Sequence, residues 1–196
     1  MSAHENLEHA EHAQHASSSS KKIALLISVL ALFLAFSETL GKSAQTSAIS
    51  YNVASSDLWA FYQAKHIRQT ILNAAGEQMQ IEADRTTDPA VKARLTKTIA
   101  DWKKTVTRYN SDPVGKEGRK ELAAKAKVAE EKRDLTMARY HHYEVASAAF
   151  QIGIVLASAE VITAMTALGW LAGLLGVAGL GFTAIGLWAP HAVHLF

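Results

Sequence analysis

Three apolar runs divide the chain, and a long charged stretch separates the first from the other two. The first run, residues 23–36, follows Lys21 and Lys22. With residues 37–40 included it reaches about 18 residues, enough to cross a bilayer with little tilt. The second covers about residues 145–167 and the third residues 168–189, with only a tight turn between them. Together these two predict a membrane hairpin of helices. The first run does not read as a secretory signal. No small-residue cleavage site follows at the right place, and the segment ahead of it is long and acidic.

Between the runs the period changes to that of packed helices. Residues 43–83 contain no proline and one glycine, Gly76. Ala60, Ala64, Ile67, Ile71, Ala74 and Ile81 recur at steps of four and three, interrupted by Gln78. This 3.5-residue period predicts the seam of a coiled coil or helical hairpin. At 1.5 Å per residue the helix extends for roughly 60 Å as a direct continuation of the first span. Asp88-Pro89 is a helix-start signal, with Asp88 as N-cap and Pro89 in the first turn. Val91, Leu95, Thr98, Trp102, Val106 and Tyr109 mark the face of that second helix, and residues 110–115, containing Pro113, break it. A third helix begins near Glu117, with Ala124, Val128, Leu135, Ala138 and Val145 as its expected seam, and runs into the second span.

The predicted fold is all-α: three transmembrane helices with an extramembrane antiparallel hairpin or coiled-coil stalk whose return arm is broken at Pro113. A three-helix stalk is the alternative. The expected divisions are a polar tail (1–20), the first transmembrane helix (21–41), the stalk (42–144), the membrane hairpin (145–189) and a short end (190–196).

Charge and composition narrow the function classes. Residues 42–139 hold 18 basic and 12 acidic side chains. This excess is too mild for nucleic-acid binding and better suited to anionic lipid surfaces. The absence of cysteine excludes thiol chemistry, cysteine-ligated zinc and disulfides. Lys21 and Lys22 point to a cytoplasmic tail. Lys132, Arg133 and Arg139 point the other way, but long loops obey the positive-inside rule poorly. The stalk is therefore expected outside.

Polar residues in the spans are the candidate functional groups, because a carboxylate near a bilayer centre costs a few kcal/mol unless it faces a partner helix, a cation or water. They are Glu38 near the end of the first span, and Gln151 and Glu160 in the second. Glu160 reads as deep, with Thr163, Ser158 or Ser28 as hydrogen-bond partners, or as part of an acidic ring or a proton-accepting site. Gly169, Gly173, Gly176 and Gly179 fit small-x-x-x-small helix packing, with Trp170 and Trp188 as an aromatic belt. In the tail, His4, His9, His12 and His15 interleave with glutamates, a donor set suited to a divalent transition metal; the alternative is a polar amphipathic helix or disordered tail whose histidines bind nothing specifically. His141 and His142, beside Tyr140 and Tyr143, read as interfacial anchors or pH-sensitive groups. No catalytic residues and no required cofactor are expected.

The segment HENLEHAEHAQHA at residues 4–16, Ser37-Glu38, Trp59 with Gln63-Ala64-Lys65, and Phe150-Gln151-Ile152-Gly153-Ile154-Val155-Leu156-Ala157-Ser158 resemble, in that order, the bacterial domain-of-unknown-function family 4337. The resemblance covers essentially the whole chain. It implies a small inner-membrane protein with membrane regions around a coiled coil, and it implies no activity. The expected role is a membrane scaffold or accessory subunit, self-associating or part of a larger membrane complex. The alternatives are a small cation channel or transporter component using Glu160, and a metal-binding sensor using the tail.

Overall fold

The computed structural model describes the backbone of residues 3–193 and the side chains of residues 21–193. It is all-α, with four helices in the order α1 (Ala3–Arg85), α2 (Pro89–Asn110), α3 (Arg119–Thr163) and α4 (Thr166–Trp188). Asp88 caps α2 from its extended conformation, its carboxylate accepting from the N–H groups of Ala90 and Val91, and Pro89 supplies the first turn. Ser111 ends α2 in extended conformation. Ala164 ends α3 with a left-handed φ of 56°, while its N–H still bonds the Glu160 carbonyl at 2.8 Å. α1, α3 and α4 each carry a stretch long and apolar enough to cross a membrane.

Contacts divide the chain into two compact units, one of Met1–Ala48 with Asp134–Phe196 and one of Ile49–Arg133. The first unit holds the apolar ends of α1 and α3 together with α4. Its core is Leu30, Ala146 and Phe150, with Leu26, Phe33, Leu34, Ile154 and Phe182 packed around them. Phe33 stacks on Phe150 at 6.1 Å. The inward face of α4 is Ala172, Gly176, Gly179, Thr183 and Gly186. These small residues let Leu30, Phe150 and Tyr143 approach the α4 backbone. Ser37, fully buried, ties α1 to α3 by donating to the Tyr143 carbonyl at 3.0 Å.

In the second unit α1 runs antiparallel to α3 through a polar ladder. Trp59 Nε1 and Ser55 Oγ donate to Glu130 Oε1 at 2.8 and 3.4 Å. Arg119 donates to Gln69 Oε1 at 2.7 Å and to the Tyr62 hydroxyl at 2.8 Å, and its guanidinium lies over the Tyr62 ring. Lys65 pairs with Glu117 at 3.6 Å. Beyond these, α2 lies along the last turns of α1, with a groove of about 390 Å³ between Leu72, Gly76 and Gln80 on one side and Ile99, Trp102 and Val106 on the other.

This pairing corrects the phase of the expected seams. On α1 the covered positions are Tyr51, Ser55, Leu58, Tyr62, Lys65, Gln69, Leu72, Gly76, Met79 and Ala83, at alternating steps of four and three. Ala60, Ala64, Ile67, Ile71, Ala74 and Ile81 have the same period but lie on the exposed face. On α3, Leu122, Ala126 and Ala129 face inward while Ala124 and Val128 are exposed, and the later expected seam residues Leu135, Ala138 and Val145 are partly covered. The apolar residues carried the period, but hydrogen-bonding aromatic and charged side chains set which face is used. On α2 the expected face does turn inward from Leu95 to Tyr109, and only Val91 is exposed.

Candidate functional site

Three polar features occupy the unit built from α4 and the apolar ends of α1 and α3. The first is Glu160. It is 7 % exposed, and its Oε2 is buried with no hydrogen-bond partner. α3 ends at Thr163, so Glu160 lies in the last turn of its helix instead of deep in the span. The hydroxyls expected to partner it bond their own helices instead: Ser158 to the Ile154 carbonyl, Thr163 to Ala159 and Ser28 to Ala24. The carboxylate rests against Gly169, where a Cβ would lie 2.7 Å from Glu160 Cδ. Beside it is an open groove of about 260 Å³ lined also by Lys22, Ile23, Leu26, Thr166 and Trp170. A basic side chain at the start of the first apolar segment thus shares a groove with the acid.

The second feature joins two residues that the sequence singled out separately. Gln151 Nε2 donates to Glu38 Oε1 at 3.3 Å. Both are exposed in the single chain. Phe150, the neighbour of Gln151, meets Gly179 near the middle of the 23-residue α4. The pair also lines a cavity of about 400 Å³ with Ser37, Lys42, Gln45, Tyr140, Glu144 and Ser147. Sequence spacing could not pair Glu38 with Gln151, because the pairing depends on the antiparallel register of α1 and α3.

The third is His142, which is 1 % exposed. Its Nε2 is 3.0 Å from the Pro190 carbonyl oxygen and its ring stacks on Phe182 at 6.3 Å. Tyr143 is buried beside it. His142 and Tyr143 are therefore interior packing residues, not anchors facing lipid. His141 remains nearer the surface, 3.7 Å from Glu144.

Of the glycines expected to pack helices, Gly176 and Gly179 lie against Leu30 and Phe150, and Gly169 lies against Glu160, whereas a Cβ on Gly173 would meet nothing within 4 Å. Among the described residues no group of three or more histidines and carboxylates is arranged to hold a metal ion. His4, His9, His12 and His15 lie outside the residues whose side chains are described.

No curated protein and no solved structure matches the chain. The family described as Domain of unknown function (DUF4337) matches residues 19–189, and the chain belongs to that family.

Proposed function

We propose that the protein is an integral membrane scaffold that self-associates through its extramembrane helices. The observation that carries this reading is the second stripe on α1. Val53, Ala60, Ala64, Ile67, Ile71 and Ala74 keep coiled-coil spacing on a face that α2 and α3 leave uncovered, and Ile81 continues the spacing beside α2. Ile67 and Ile71 are 58 % and 60 % exposed. A solvated helix has no need of apolar residues at such spacing, whereas a helix that meets another helix does. The alanines allow close approach, and Gln78 is a polar seam residue of the kind that specifies register. Exposed apolar side chains such as Leu25, Leu32, Val155, Leu174 and Val177 support the membrane reading. Lys21 and Lys22 favour a cytoplasmic tail and a stalk on the far side of a bacterial inner membrane.

The test is the mass of the full chain in nanodiscs. The wild type should be oligomeric. Ile67→Glu with Ile71→Glu should shift it toward monomer, since each buried isoleucine contributes about 1.5–3 kcal/mol. A monomeric wild type removes the proposal.

A second reading, a cation pathway, draws on the Glu38–Gln151 pair. Polar side chains exposed beside apolar helix segments avoid lipid by facing a protein partner or water. An assembly that covers this face makes it an interface, and an assembly that encloses it makes it a path.

A further inference from the structure

The groove at Glu160 carries charges of opposite sign within one small volume. Glu160 is more than nine-tenths buried, and one carboxylate oxygen lacks a partner. It occupies the last turn of α3, where the helix dipole already presents its negative end. A carboxylate there calls for a cation that can donate hydrogen bonds. Lys22 lines the same groove, as does Thr166 at the start of α4. The N-cap residue of α4, Met165, provides no side-chain hydrogen bond. The first N–H groups of the 23-residue α4 therefore sit at a positive helix end, which with Lys22 suits an anion. Trp170, 79 % exposed, borders the groove in the manner of an interfacial tryptophan.

No simple ion matches this arrangement. A lone phosphate would meet the Glu160 carboxylate, and a lone cation would leave Lys22 and the α4 end without a counter-charge. A zwitterion satisfies both. We propose that the groove binds the headgroup of an aminophospholipid, its ammonium donating to Glu160 and its phosphate lying between Lys22 and the start of α4. A primary ammonium suits the site better than a trimethylammonium, because methylation removes the N–H donors that a carboxylate accepts, and the Glu160 carboxylate lines the groove. The inference shares only the membrane location with the scaffold reading. A monomeric protein would end the scaffold and leave this site intact.

The test is native mass spectrometry of the full chain with equal amounts of phosphatidylethanolamine, its N,N-dimethyl form, phosphatidylcholine and phosphatidylglycerol. Phosphatidylethanolamine should be retained about tenfold over phosphatidylcholine and phosphatidylglycerol, the scale of one charge-assisted hydrogen bond. The dimethyl form should fall between. Glu160→Gln should abolish the preference for phosphatidylethanolamine over phosphatidylglycerol, and Lys22→Ala should lower retention of the phosphatidylethanolamine. The methylation series needs no variant, so it decides the matter even if Glu160→Gln folds poorly. Equal retention of all four lipids, or a preference for phosphatidylglycerol, overturns the proposal. Displacement by soluble phosphoethanolamine at millimolar concentration overturns the assignment to an intact lipid.

Discussion

Glu160 shows how one residue's environment changes its meaning. As a letter in an apolar run it suggests a deep, isolated acid. In the fold it lies one turn from a helix end, against Gly169 and in a groove shared with Lys22. Gly169 is required for this geometry, because a methyl group there would meet the carboxylate. Gly169→Ala should therefore push the Glu160 side chain aside and lower stability by about 1–3 kcal/mol, the usual range for overpacking. Thermal unfolding in detergent measures this, with Gly173→Ala as the control, since the space around Gly173 is open. Equal melting of the two variants would contradict the close approach. Glu130 carries a parallel lesson. On α3 it reads as one charge among many, yet it receives both Trp59 and Ser55 and helps fix which face of α1 turns inward.

At the scale of elements, the Glu121 carboxylate helps hold the link between α2 and α3, beside Asp112, which accepts from the Gly115 N–H, and Lys125, which donates to the Lys116 carbonyl. Glu121 accepts from the Ser111 hydroxyl at 2.7 Å and from the Asp112 N–H at 3.1 Å. The Ser111 hydroxyl first, and then the Asp112 N–H, hold its pKa below the ordinary glutamate value. The folded pKa is lower than the unfolded one, so the contribution to stability is present at neutral pH. It is lost as pH falls through the depressed folded value, which lies below the ordinary value of about 4.3. Hydrogen exchange of residues 111–118 in the full chain should accelerate, relative to intrinsic exchange, in that acidic window. Glu121→Gln should show faster exchange already at neutral pH and no such transition. A wild-type profile identical to that of the variant would show that the carboxylate does not hold the link. Helix existence was largely legible at this scale: the Asp88-Pro89 start and the inward face of α2 follow from capping and period alone. The choice between two equally periodic faces of α1 was not legible. Period specifies spacing, while phase depends on which partner helix offers a matching carboxylate or guanidinium.

For the whole molecule, the decisive question is what covers the exposed polar pair of Glu38 and Gln151. If copies assemble around it to enclose water, reconstituted protein should conduct cations in planar bilayers and Glu38→Gln should remove the current while leaving the oligomer mass unchanged. If the pair is an interface, the wild type should be silent. Conductance that survives in Glu38→Gln would exclude the pair from any path. The distinction matters because interhelical polar contacts in membranes contribute only about 0.6 kcal/mol on average. An interface role would therefore cost little on mutation, whereas a pathway role would cost all of the current.

The amino-acid sequence by itself determined the helical class, the three apolar segments and the break near Pro113, because these follow from local period, length and backbone chemistry. It also marked Glu38, Gln151 and Glu160 as costly residues in apolar surroundings. Tertiary structure alone decided their partners. Antiparallel register brought Gln151 to Glu38. The end of α3 at Ala164 moved Glu160 to the rim and into the same groove as Lys22. Packing turned His142 and Tyr143 inward, where sequence had read them as facing the interface. The physical reason is common to all three. Hydrophobicity and spacing act along one chain segment, whereas hydrogen bonds and close contacts between segments depend on a register that no single segment contains.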